Sequence, residues 1–190
     1  MWSPSGEAHN GRLYFGVSSH LGLPFARVHR EGGFEELEGG ALRDLGAAIA
    51  EELKAPVEFV LLPKMRTADA LVSGRIDLIC HINPIWYPKI AKQVDWTSES
   101  LYETTNVLVY FRHEKVSSIH DLKGSAVGTL YDFIYQKYDD LFAKKELIRE
   151  DAASTESNIQ KLIKGRLPFV LLSSPEVKYY KAQYPDLKYF

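Results

Sequence analysis

The stretch Gly74-Arg75-Ile76-Asp77-Leu78-Ile79-Cys80-His81-Ile82-Asn83 has a close echo in Gly165-Arg166-Leu167-Pro168-Phe169-Val170-Leu171-Leu172-Ser173-Ser174. In each copy a short apolar helical pattern, Ala70-Leu71-Val72 or Ile159, Leu162 and Ile163, stops at a Gly-Arg pair and an apolar run follows. Glycine directly after the last periodic residue is a helix-ending signal, because it takes the left-handed conformation without a Cβ penalty. A nearly continuous apolar run suits a parallel strand covered by helices on both faces. Each run then ends in groups that form hydrogen bonds, His81 and Asn83 in one copy, Ser173 and Ser174 in the other. In open α/β sheets ligands bind just beyond the carboxyl ends of the strands. The repeat therefore predicts two sheets facing one cleft.

The 190 residues are 45% hydrophobic and 25% charged, with a formal net charge of -2, the composition of an ordinary globular protein. No basic face argues for nucleic acid as a partner. No apolar run approaches the roughly 20 residues needed to span a bilayer. The start, Met1-Trp2-Ser3-Pro4-Ser5-Gly6, lacks the charged and apolar regions of a signal peptide. The single cysteine, Cys80, excludes an internal disulfide and a cysteine-type metal cluster. Its place in an apolar run marks it as a small buried hydrophobe.

Residues 1–11 are polar and read as a flexible lead-in. Strand signals follow at Leu13 to Val17, with Ser18-Ser19-His20 at the end, then a loop with Pro24-Phe25 and a mobile turn from Glu31 to Gly40. Leu42, Leu45, Ile49 and Leu53 recur at helical spacing. Val57 to Leu62 reads as a strand, Arg66 to Ser73 as a helix and Ile76 to Ile82 as the next strand, the βαβαβ opening of a parallel sheet. Pro84 to Ser100 reads as a loop with a short helix near Ile90 to Gln93, and Thr104 to Phe111 is the most strand-like run. The second half repeats the alternation: strand Ser125 to Leu130, helix Phe133 to Leu147, strand Ile148-Arg149, helix Ser157 to Lys164, strand Phe169 to Leu172 and helix Pro175 to Ala182. Ser157 and Gln160 have the spacing of a capping box.

In order and spacing these pieces resemble the type II periplasmic solute-binding proteins of the amino-acid-uptake kind. The resemblance is carried by Pro24-Phe25, Gly40 with Asp44-Leu45, Leu71-Val72-Ser73-Gly74-Arg75-Ile76-Asp77-Leu78-Ile79, Gln93-Val94-Asp95-Trp96, Asp121-Leu122-Lys123-Gly124 before Val127-Gly128, and Lys164-Gly165-Arg166. It covers most of residues 12–185. It implies an α/β protein of two Rossmann-like lobes, residues 12–107 and 108–190, hinged around a small-molecule ligand. It further implies a periplasmic or otherwise extracytoplasmic location, an ABC transporter membrane complex as partner, no cofactor, no metal and no catalysis. A ligand-sensing domain of a membrane signalling protein is the alternative, and a dehydratase-like enzyme on the same fold a more remote one. Family members return to the first lobe after the position of Phe190. Lacking that return, lobe 1 is expected to expose apolar surface that favours oligomers.

Departures from the pattern concern the pocket. Where family members place an arginine that grips the ligand carboxylate, this chain has Ile90, beside Lys89. Ser173 stands where an acid is frequent, Ala41-Leu42 where an aromatic and an acid are common, and Thr129-Leu130-Tyr131-Asp132-Phe133 where a Gly-Ser-Thr turn is usual. The resemblance thus implies a ligand other than an ordinary α-amino acid. Strand-end residues expected to line the cleft are His20, Phe25, His81, Asn83, Trp86, Tyr87, Thr129, Tyr131, Asp132, Ser173 and Ser174. Aromatic faces there would hold a flat or apolar body, and Asp132 would meet a positive centre. Plainer roles fit several of them equally: Trp86 as a plug at the edge of lobe 1, His81 as a structural imidazole, Ser173 and Ser174 as caps of the helix opened by Pro175. Trp96 is expected in the core.

Overall fold

The computed structural model describes residues 11–111 and 116–190. The expected lead-in, except for Gly11, lies outside them. The described chain forms ten strands and five α-helices: β1 (Leu13–Ser18), β2 (Arg27–Glu31), β3 (Phe34–Gly39), α1 (Ala41–Leu53), β4 (Val57–Leu62), α2 (Lys64–Val72), β5 (Leu78–Ile79), β6 (Asn106–Phe111), β7 (Ala126–Leu130), α3 (Gln136–Ala143), β8 (Ile148–Ala152), α4 (Thr155–Ile163), β9 (Phe169–Ser173), α5 (Ser174–Gln183) and β10 (Leu187–Tyr189). They divide into two compact units. Among the described residues, the first comprises residues 11–19 and Phe25–Glu99, the second His20–Pro24 and the described part of residues 100–190. The passage between them falls before the expected 107/108 boundary, because β6 is bonded throughout to strands of the second unit and cannot be cut.

In the first unit β1 lies between β4 and β5, parallel to both. α1 approaches this sheet closely at Gly46, where an added Cβ would lie 2.6 Å from the Phe59 ring. Phe15 is fully buried and meets Phe59 edge-on at 5.7 Å. β5 covers only two residues of the expected strand Ile76 to Ile82. Asp77 is engaged instead in a reciprocal clasp: its amide donates to the Tyr14 carbonyl, and its carboxylate accepts from the Tyr14 amide at 2.8 Å. Beyond Ile79 the chain turns at His81, whose φ is 60°.

The segment expected as a mobile turn is a β-hairpin, β2 against β3. Gly32 and Gly33, with φ 58° and 84°, supply the left-handed pair that the tight turn requires. Arg30–Glu35 at 2.8 Å, Arg27–Glu38 and His29 beside Glu31 and Glu38 line its exposed faces. The Glu-rich composition that suggested a loop supplies the acids of exposed cross-strand pairs, Arg30–Glu35 and Arg27–Glu38. The expected helix at Ile90 to Gln93 is a run of turns, and a single 3-10 turn lies earlier, at Pro84–Trp86. Trp96 is half-buried rather than in the core, its indole N–H donating to the Ala91 carbonyl at 3.0 Å. Cys80 is buried as expected.

The second unit is a five-stranded mixed sheet, β10-β6-β9-β7-β8. β7 is parallel to β8 and β9, whereas β6 is antiparallel to β9 and β10. Successive residues serve opposite faces, as the pleat dictates. Leu108, Tyr110, Phe169 and Leu171 enter one core with Leu122, Tyr135 and Tyr138; Val109, Val170 and Leu172 enter the other with Ile159, Leu162 and Tyr180. Both-face burial is thus the reason for the unbroken apolar run in the second Gly-Arg copy. α4 begins earlier than expected because Ser154 caps it, accepting from the Ser157 amide at 3.2 Å. α3 is shorter than expected, since Phe133 and Ile134 belong to the turn after β7. No helix among the described residues is long and apolar enough to cross a membrane.

Candidate functional site

In the first unit the structure places five of the expected residues, Phe25, His81, Asn83, Trp86 and Tyr87, near the end of β5. Phe25 is buried, with its ring 4.3 Å from that of His81 and tilted by 40°; His81 lies 6.1 Å from the Trp86 ring. The left-handed turn at His81 follows the short β5 after one intervening residue, and the Pro84–Trp86 turn begins three residues later. Asn83 opens that turn, its side chain accepting from the Ile85 amide at 2.9 Å. Tyr87 donates its hydroxyl to the Lys64 carbonyl at 3.4 Å.

Lys64 is the charged member of this cluster and was not among the expected residues. It is only 7% exposed, and its ammonium lies 5.5 Å from the Trp86 ring centre and 6.0 Å from that of Tyr87. The aromatic quadrupole attracts such a cation most where water is excluded. Like the expected residues it stands just past a strand end, since Pro63-Lys64 follows the carboxyl end of β4. Burial, and secondarily the Lys64 charge, lower the His81 pKa to about 4. At neutral pH the imidazole is therefore uncharged and acts as a flat hydrogen-bonding ring. Burial also raises the phenol of Tyr87, with the Thr67 hydroxyl working the other way, and raises the Cys80 thiol. A raised thiol is an unreactive one.

In the second unit the expected residues have diverse fates. Thr129 is fully buried and donates its hydroxyl to Asp151 at 2.9 Å, so it is a core group rather than a surface one. Ser173 is half-buried and caps α5: its amide and hydroxyl both donate to Glu176 Oε2, at 2.8 and 2.6 Å. Ser174 accepts from the Thr105 amide at 3.3 Å, fastening α5 to the approach to β6. The capping role expected of both serines is displayed by Ser173, whereas Ser174 is the first residue of α5 and ties it to Thr105. His20 belongs with this unit and not with Phe25; its ring meets Phe133 edge-on at 6.3 Å, and its carbonyl accepts from Thr155 at the start of α4. Tyr131 and Asp132 stand exposed on the turn after β7, Asp132 with a left-handed φ of 63°.

Glu176, also unanticipated, is 6% exposed and accepts a third bond from Thr155 Oγ1 at 2.9 Å. Burial raises its pKa, and the bonds from Ser173 and Thr155 oppose that. Replacing Glu176 by Ala leaves three donors without their acceptor and opens a cavity, so we expect a loss of about 3 kcal/mol in urea unfolding. A loss under about 1 kcal/mol would show that the carboxylate contributes no more than an ordinary helix cap.

No protein-family model matches the chain, and no curated protein matches it in sequence. Solved structures do match it. An ancestral arginine-binding protein bound to arginine is 26% identical with a TM-score of 0.74, over 94% of this chain and 78% of that one. The substrate-binding protein of an amino acid ABC transporter is 24% identical with a TM-score of 0.73, over 95% and 78%. AbpA of Streptococcus pneumoniae, an amino acid ABC transporter substrate-binding protein bound to L-arginine, is 22% identical with a TM-score of 0.72, over 95% and 75%. With its two α/β units and parallel-strand ends, the chain has the type II periplasmic-binding-protein fold found in the substrate-binding proteins of amino-acid ABC transporters.

Proposed function

We propose that the protein is an extracytoplasmic solute-binding protein that captures a small organic molecule for an ABC-type transporter, and that it is not an enzyme. The ligand in this reading has a flat or apolar body and is not an ordinary α-amino acid. One observation carries it: on a solute-binding fold, Phe25, uncharged His81 and Trp86 form a contiguous ring cluster just past the carboxyl ends of parallel strands. Ile90, at the position where the resemblance would place a carboxylate-gripping arginine, is buried at 6% exposure and supports the exclusion of ordinary amino acids.

The test is a thermal-shift screen of amino acids, amines, aromatic acids and short peptides. A ligand at 100 times its Kd adds about 2.7 kcal/mol to stability. We expect aromatic amines or acids to raise the melting temperature and Trp86→Ala to remove that rise. Strong stabilisation by free arginine or glutamine would overturn the ligand class, and a rise unaffected by Trp86→Ala would remove the ring cluster from the site.

A further inference from the structure

We propose that Arg149 is a positioning residue that holds the Tyr131–Asp132 turn ready for ligand. This role rests on the reading of the protein as a solute binder and of that turn as ligand-contacting. Arg149 lies on the edge strand β8, and its side chain is half-buried. Its Nε donates to both carboxylate oxygens of Asp151, at 3.0 and 3.1 Å. Its Nη2 donates to the carbonyls of Leu130 at 2.9 Å and Phe133 at 3.0 Å. Those carbonyls belong to the first and last residues of the turn that carries Tyr131 and Asp132.

The turn closes on itself through a long bond, from the Phe133 amide to the Leu130 carbonyl at 3.3 Å. The Tyr131 amide donates to the Ala152 carbonyl at 3.3 Å, and side chains add further support. The Leu130 amide donates to the Tyr135 hydroxyl at 3.0 Å, and the guanidinium lies 5.5 Å from the Tyr135 ring centre and 5.9 Å from that of Phe142. Asp151, which orients the guanidinium, also accepts from Thr129 at 2.9 Å, just before the turn. Asp139 adds a weaker ionic contact with Nη1 at 3.7 Å. Only a planar fork reaches a carboxylate and two carbonyls at once; a lysine ammonium is a point charge on a flexible stem.

The held turn presents two side chains outward. Tyr131 is 50% exposed, and Asp132 is exposed in a backbone conformation that non-glycine residues seldom take. An exposed pair, its Asp132 in left-handed backbone, fixed from beneath by a dedicated side chain is the arrangement of a preorganised contact. A phenol beside a carboxylate suits a ligand with an ammonium and an apolar body.

The test compares wild type, Arg149→Lys and Arg149→Met, together with Tyr131→Ala and Asp132→Asn. Amide hydrogen exchange needs no ligand and reports the turn directly. We expect exchange of the Leu130 to Phe133 amides to rise about tenfold or more in both Arg149 variants, with protection of β6 and β9 retained. Unchanged exchange in the turn, or a uniform rise across the sheet, would overturn the positioning role. Binding is read with phenethylamine as the probe, by tryptophan fluorescence. We expect Arg149→Lys to weaken it about tenfold, and by much less when Asp132→Asn is already present, because the two act through one contact. Full additivity would overturn the coupling. If the turn loosens while Tyr131→Ala and Asp132→Asn bind phenethylamine as wild type does, or wild type does not bind it, the positioning of the turn stands and its role in binding falls.

Discussion

Gly40→Ala should destabilise the first unit by about 3 kcal/mol or more, as a shift of the urea midpoint at unchanged slope. Gly40 precedes α1 with φ 103° and ψ 165°, a region essentially reserved for glycine. An added Cβ there would lie 2.5 Å from the Phe25 carbonyl oxygen, 2.7 Å from its carbon and 2.9 Å from Ala26 Cα. All three are backbone atoms and cannot swing aside. The crowding is tied to a hydrogen bond, since the Phe25 carbonyl accepts from the Leu42 amide at 3.0 Å. Relief of the clash would therefore pull Phe25 away from α1, and with it the ring against His81. The neighbouring Gly39→Ala is the control. There the nearest atoms belong to the flexible Arg27 guanidinium, at 3.1 Å. We expect a loss of under about 1 kcal/mol. Equal losses at the two positions would show that helix entry at Gly40 is not confined as described.

Acid should weaken the protein through His81. Its pKa is lowered from the ordinary 6.5 to about 4 in the folded state, by burial first and by the Lys64 charge second. Between these values the unfolded chain binds the proton more readily than the folded one, so stability rises with pH across the window. The contribution is complete above about pH 6.5 and is lost as pH falls through about 4. A shift of this size corresponds to about 3 kcal/mol. Glu176 works in the opposite sense. Its raised pKa stabilises the fold at low pH, and that contribution is lost as pH rises from the ordinary 4.5 through the folded value. The His81 term is therefore isolated by comparison with His81→Asn, which tolerates the left-handed backbone and does not titrate. Unfolding midpoints of the two proteins should converge towards acid pH and separate by pH 7. Parallel curves from pH 4 to 7 would contradict the burial of an uncharged imidazole.

Protonation of His81 would also place a second positive charge near Lys64, inside the ring cluster proposed to touch the ligand. Binding of a cationic ligand there should weaken with acid over the same window. The charge balance of the cluster therefore depends on a residue, Lys64, that is unremarkable in the sequence and decisive in its setting.

Much of the scaffold follows from local chemistry. The Gly-Arg stops, the helical spacing of Leu42 to Leu53, and the apolar runs Val57 to Leu62 and Phe169 to Leu172 depend on neighbours within a few residues. The cap by Ser173 and the opening of the turn by Asn83 are equally local, which is why strand-end residues turned out to have backbone duties. Strand direction and partners were not local. Thr104 to Phe111 is strand-like by composition, but its antiparallel bonds to β9 and β10 depend on segments about 60 to 80 residues away. The hairpin at Arg27–Gly39 was hidden because its stabilising ion pairs lie across the strands, not along the sequence.

The sequence by itself determined an α/β chain with strands ending in polar and aromatic groups, because periodicity and capping act over one or two turns of backbone. Only the tertiary structure decided which of those groups remain on the surface. Thr129 and Ser173 bond to Asp151 and Glu176, Lys64 is brought over Trp86 and Tyr87, and Arg149 is folded beneath Tyr131 and Asp132. The physical reason is that burial and hydrogen-bond pairing are properties of distant partners, and a single linear pattern does not encode which acceptor a given donor will meet.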